Sequence, residues 1–318
     1  MKFYNINQQQ IIEADNISPD WINLDHPDPE ELSTLKKDYH LNIDYVKRSL
    51  HKTETSHVQN LNSNLQDPLI VVQYPQLDTT KLPSPYQIDT YPLALILTNI
   101  NGKPTLVTSS YNTSDAIESL IADSSNYKFR LDNVKDLALA ILYEITQAYK
   151  RTIDRLNDDS LKMEANLSSA TNNNVMYQIM SLIKSIDALS VAIKSNKPVI
   201  EKILDDKKYF NSANYDNLAS LIRDEFEQSK ENTDYLKSVL EDYSNLVSSI
   251  ISNNSNTIMS VLTQLTVTLS VAGTIFSLCG VNYKLPLMNT SFGFYLLLFI
   301  TMIISGIVVR YLHHKHIM

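Results

Sequence analysis

The stretch SVLTQLTVTLSVAGTIFSLCGVNYKLPLMNTSFGFY, from Ser260 to Tyr295, decides how the rest of the chain is read. Between Asp242 and Lys284 no side chain is charged, a gap of about forty residues where about twenty suffice to cross a bilayer. A second uncharged run follows Lys284 and ends at Arg310. The pattern predicts one crossing from about Thr257 to Leu278 and another from Phe292 to about Tyr311, joined by a short outer link. Tyr283 and Tyr295 fall where interfacial aromatics are expected. Arg310, His313, His314, Lys315 and His316 make a basic tail, which the positive-inside rule puts on the cytoplasmic side.

Outward from this stretch the chain changes character. Its 318 residues carry 27 basic and 35 acidic side chains, a formal charge of -8, which excludes the basic face a nucleic-acid binder needs. The mean hydropathy of -0.17 averages a polar part with an apolar end. With one cysteine, Cys279, no disulfide can form within the chain. The N-terminus, MKFYNINQQQIIEADN, has no apolar core of signal-peptide length, so the large first part is expected in the cytoplasm and the protein in the cell membrane.

Residues 1–130 read as a small cytoplasmic α/β domain. A short strand is expected around Ile22, then a helix opened by acidic residues after Pro27 and Pro29. PLIVVQYP and LALILTNINGKPTLVTSSY read as strands, with Asn101-Gly102 as a tight hairpin turn. Residues 131–250 turn helical: glycine vanishes and apolar residues recur at helical spacing. Ser168 to Asn174, SSATNNN, breaks the pattern into an antiparallel hairpin, and a further helix begins after NSANYDN and runs on without proline or glycine. Residues 251–318 form the transmembrane part. The expected fold class is thus an α+β cytoplasmic domain, a long helical stalk and two transmembrane helices.

On the first crossing Met259, Leu262, Thr266, Ser270, Gly273 and Ser277 share one helix face, while Val261, Leu265 and Leu269 point elsewhere. Such a small, hydroxylated stripe can be packing surface, with hydroxyls bonded to the carbonyl four residues back. It can instead line water, and since two helices cannot enclose a pore, that alternative demands several copies around an axis. Gly280 suits a helix end, and Asn282 at the mouth of the stripe offers an amide oxygen to the waters of a hard cation.

SIISNNSN, then IMSVLT, then Gly280-Val281-Asn282 followed by Tyr283-Lys284-Leu285-Pro286-Leu287, resembles the CorA-type magnesium channels. The resemblance implies a funnel-shaped homopentamer whose stalk helix lines the pore. It implies that Gly280 and Asn282 match the family's Gly-Met-Asn motif, with Val281 in place of Met, and that Asn282 rings the outer ion site. It implies Met259 and Leu262 as the hydrophobic constriction, Asn256 as the polar ring at its inner entrance, and Thr266, Ser270, Gly273 and Ser277 as the wall. It further implies regulatory Mg²⁺ bound between subunits by carboxylates near the base of the stalk, here Asp224, Glu225 and Glu227, with Asp89 a candidate partner. Ser260 stands where the family commonly has a basic residue.

The expected function is Mg²⁺ uptake through a homopentameric channel closed by cytoplasmic Mg²⁺, with Co²⁺, Ni²⁺ or Zn²⁺ as other possible cargo and no further cofactor. The alternatives are a zinc or other divalent-metal transporter of the same superfamily, and a non-conducting membrane-anchored scaffold or regulatory paralogue. With five glycines and no phosphate-cradling loop or catalytic triad, no enzyme activity is expected.

Overall fold

The computed structural model describes residues 1–7, 10–15, 17–63, 65–77, 88–123, 129–165, 173–210, 215–280 and 291–314. The chain divides into two compact units, Met1–Ser244 and Asn245–Met318.

The first unit is built on a seven-stranded sheet in the order β2-β1-β3-β7-β6-β5-β4. Its strands are β1 (Lys2–Asn7), β2 (Gln10–Glu13), β3 (Trp21–Asp25), β4 (His57–Gln59), β5 (Leu69–Leu77), β6 (Ile88–Ile100) and β7 (Lys103–Ser110). All neighbours are antiparallel except β3 and β7, which run parallel with Trp21 opposite Leu106. The central strands are apolar on both faces: Leu69 to Val72 and Leu93 to Ile96 are fully buried. A strand buried on both sides loses the polar alternation of a surface strand, so helices must cover each face.

Local chemistry fixes the turns. Asn101 and Gly102 take φ of 51° and 81°, the left-handed pair that matches the twist of a two-residue hairpin between β6 and β7. Asp28 caps α1 (Pro29–Asp38), its carboxylate accepting from the Glu31 N–H at 2.7 Å while Glu31 reaches back to the Asp28 N–H. The short helices α2 (Ile43–Arg48) and α3 (Asp115–Ala122) complete the periphery. Tyr45 and Val46 of α2 join Ile22, Leu24, Leu35, Val71, Ile96 and Val107 in one apolar core.

Two long helices, α4 (Val134–Glu164) and α5 (Asn173–Asp205), pack on the sheet. α4 starts where Asn133 accepts from the N–H groups of Lys135 and Asp136. Its first part is buried almost all round, from Leu137 to Leu142, because it lies between the sheet and other helices. α6 (Tyr215–Gly280) is a continuous helix of 66 residues that begins in the first unit and ends in the second. α7 (Ser291–His314) belongs to the second unit.

Among the described residues two helices are long and apolar enough to cross a membrane, α5 over Val175–Asp205 and α6 over Tyr215–Ile275. They differ in burial: half of the apolar window of α5 is buried, as in a soluble core, and none of that of α6. In α7 the described apolar stretch, Leu298–Tyr311, is shorter, within a helix of 24 residues.

Candidate pore-lining helix and its carboxylates

At 100° per residue the second-unit part of α6 has three faces. Ser260, Gln264, Val267, Thr268, Val271 and Ile275 are half-buried and lie together. On α7, Gly293 and Thr301 are buried and Ser305 and Val308 half-buried, also at helical spacing. A second face carries Ile258, Val261, Leu265 and Leu269, all exposed and all large.

The third face is the expected stripe. Met259, Leu262, Thr266, Ser270, Gly273 and Ser277 are all exposed, centred roughly 150° around the helix from the half-buried face. Asn256 is exposed one turn before Met259 and falls to one side of the stripe. A Cβ built on Gly273 meets nothing within 4 Å. Among the described residues, no other part of the chain crowds this glycine.

Three hydroxyls on or beside this face are already oriented. Thr266 donates to the Leu262 carbonyl at 2.8 Å, Thr263 to Met259 at 2.7 Å and Thr274 to Ser270 at 2.8 Å. A threonine whose proton is so committed keeps only its lone pairs for anything else. At Thr266 the stripe thus offers an acceptor, which suits the donating waters around a hydrated dication. It also exposes far more apolar surface than water tolerates. Ile258, Met259, Val261, Leu262, Leu265 and Leu269 are each 57 to 68 % exposed, and burying one such side chain is worth about 1.5 to 3 kcal/mol. α7 is similarly exposed at Phe299, Met302, Ile303 and Ile307, as a helix in lipid would be.

The described part of α6 ends at Gly280. Val281 and Asn282, with the link through Lys284, lie outside the described residues, as do Lys315 and His316 of the tail.

The expected regulatory carboxylates are in the first unit, and most are already partnered. Lys150 of α4 donates to Glu225 at 2.9 Å. Glu227 accepts from Lys197 of α5 and from Lys230, each at 3.1 Å, and those two hydrogen bonds hold its carboxyl below the usual value. Asp89 pairs with Lys52, which also lies over the Tyr91 ring. Asp224 is exposed and, among the described residues, accepts only from the Ser220 hydroxyl, at 3.4 Å. Among the described residues no three His, Cys, Asp or Glu side chains gather as a metal site would require. The lysines are what the sequence did not reveal. Lys150 and Glu225 are 75 residues apart, and no local pattern joins them.

Residues 18–314 match the family described as CorA-like Mg²⁺ transporter protein. The chain belongs to that family. It is therefore a membrane transporter of divalent cations, in a family of transporters rather than enzymes. A curated relative, the cobalt/magnesium transport protein CorA of Methanocaldococcus jannaschii, is 24 % identical over 293 residues, covering 91 % of this chain and 88 % of the relative. Among solved structures, the complete CorA magnesium transporter from the same organism superposes with a TM-score of 0.76 at 21 % identity, covering 99 % of this chain and 97 % of that one. The full-length CmaX protein gives 0.72 at 14 % identity, covering 98 % and 97 %. At such identities the likeness speaks for the fold, which is α+β followed by long helices, as the sequence led us to expect.

Proposed function

We propose that the chain forms a homopentameric channel that admits Mg²⁺ across the cell membrane, with both termini cytoplasmic. The observation that carries this reading is the exposed stripe of α6. Beyond Leu262 its members are small or hydroxyl-bearing, all of it is exposed, and it lies opposite the half-buried face of the same helix. Copies placed around an axis would bring five such stripes together into a water-filled path. Asn256 would stand at the inner entrance, and Met259 and Leu262 would form a constriction that closes by excluding water. Thr266, Ser270, Gly273 and Ser277 would line the wall, and Asn282, after Gly280 and Val281, would ring the outer mouth with amide oxygens.

The driving force is electrical. An inside-negative potential contributes about 2.3 kcal/mol per charge per 100 mV, hence twice that for a dication, so no energy-coupled step is needed. Feedback by cytoplasmic Mg²⁺ would act at carboxylates between copies. Asp224 is the member of its group best placed for this, because Glu225 and Glu227 are engaged by lysines of their own chain.

Val281 favours a second reading, in which Zn²⁺ or another divalent ion is the cargo, since it stands where the resemblance calls for methionine. Uptake into liposomes, followed by trapped Mg²⁺ and Zn²⁺ indicators, separates the two. The proposal expects fast Mg²⁺ entry that Asn282→Ala abolishes. Zn²⁺ entry without Mg²⁺ would replace the cargo, and entry of neither would leave a non-conducting scaffold.

A further inference from the structure

In the first unit α6 is flanked on two sides. Lys237 pairs with Asp187 of α5 at 2.6 Å, and Tyr243 donates to Glu164 of α4 at 2.7 Å. Between α4 and α6 lies a cavity of about 180 Å³ lined by Ile153, Asp154, Asn157, Asn232, Tyr235 and Leu236. Its floor is apolar and its walls carry one carboxylate, two amides and a tyrosine that is 68 % exposed. Asp154, Asn157 and Asn232 make no hydrogen bond or ion pair among the described residues.

This set recognises a primary ammonium on an aliphatic stem. Three N–H donors find the Asp154 carboxylate and the amide oxygens of Asn157 and Asn232, the Tyr235 ring offers its face, and the methylenes lie on Ile153 and Leu236. Such a group sits on the other flank of the same molecule. On α5, Tyr177, Met180, Lys184 and Val191 recur at helical spacing, and all are exposed. Lys184 stands in the middle of this apolar stripe and makes no ion pair among the described residues. Asp158 and Glu231, exposed beside the cavity, and Lys194, exposed further along α5, extend the same complementarity of charge.

The two flanks cannot meet within one chain. Lys237, which faces α5, lies roughly 140° to 200° around α6 from Asn232 and Tyr235, which face the cavity. A basic, apolar flank and an acidic cavity on opposite sides of one helix are the two halves of a head-to-tail contact, the kind that closes rings.

We infer that Lys184 of one copy inserts into the Asp154–Asn157–Asn232 cavity of the next, with Tyr177, Met180 and Val191 packing against Tyr235 and Leu161 around it. This interface rests on the homo-oligomer proposed above. A carbodiimide tests it on the unmodified full-length protein in detergent, because the reagent joins an ammonium to a carboxylate only where they touch. The inference expects a covalent dimer from which the Lys184–Asp154 isopeptide is recovered by mass spectrometry, and loss of at least about nine-tenths of it in Asp154→Asn. The oligomer's mass is measured alongside by light scattering. A stable oligomer that never yields the Lys184–Asp154 linkage would overturn this interface and leave the ring standing. A monomer would overturn both.

Discussion

The side-chain amide of Asn196 holds both backbone groups of Gln73: its Oδ1 accepts from the Gln73 N–H at 2.8 Å and its Nδ2 donates to the Gln73 carbonyl at 2.8 Å. β4 pairs with β5 only from Leu69 to Val71, so Asn196, from α5, continues the ladder where the edge strand stops. Ser56 donates to the same Oδ1 at 2.6 Å, and Tyr149 of α4 donates to the Gln73 carbonyl at 3.0 Å. One buried amide thereby ties the sheet to both long helices. Asn196→Leu, of similar volume, leaves the Gln73 N–H without a partner and is expected to cost about 1 to 3 kcal/mol. Tyr149→Phe costs less, since Asn196 still satisfies the carbonyl. Thermal unfolding of the detergent-solubilised protein gives the order.

The Glu227 pair makes a pH prediction. Hydrogen bonds from Lys197 and Lys230 lower the folded-state value of this carboxyl below its ordinary 4.5, so folding favours the ionised form. Its contribution is present above pH 4.5 and is lost as pH falls through the lowered folded value. The side chain is exposed enough that salt screens the effect. Unfolding followed from pH 6 to 3 is therefore expected to differ between the wild type and Glu227→Gln only at the upper end, and the difference should shrink in 0.5 M salt.

Gly273 separates packing within a chain from packing between chains. Because no described residue outside its own helix backbone lies within 4 Å of a built Cβ, the first carbon of a side chain in Gly273→Leu enters open space, and replacing a helical glycine favours the helix by roughly 0.5 to 1 kcal/mol. Any loss must then come from neighbouring copies. The account expects helix content to be retained and Mg²⁺ flux to fall by about tenfold or more, as one added side chain from each copy of the proposed ring closes the path. Unchanged flux would remove Gly273 from the wall.

Much of the fold was legible because its signals are local. Asn101-Gly102 demands a left-handed turn wherever it falls, the residues after Pro27 carry a cap, and the run from Tyr215 to Ala272 contains neither proline nor glycine. What escaped was set by partners distant in sequence. β1, β2 and β4 are edge or near-edge strands too short to show alternation, and the parallel pairing of Trp21 with Leu106 depends on a crossover that no residue announces. The candidate stripe was visible as a periodicity of small residues. Its exposure opposite the half-buried face was not, because burial depends on what lies beside the helix in space. The same holds for Lys150 and Lys197, whose ion pairs with Glu225 and Glu227 join residues far apart in sequence.

The central claim is that the Met259 to Ser277 face of α6 lines the ion path. The most direct measurement places a single cysteine on it, Ser270→Cys in a Cys279→Ser background, and records Mg²⁺ uptake into liposomes before and after a positively charged thiol reagent. Leu265→Cys, on the exposed apolar face, is the control. The account predicts that the reagent blocks uptake at position 270 and leaves position 265 conducting. Block at 265 with none at 270 would put the ion path on another face of the helix and contradict it.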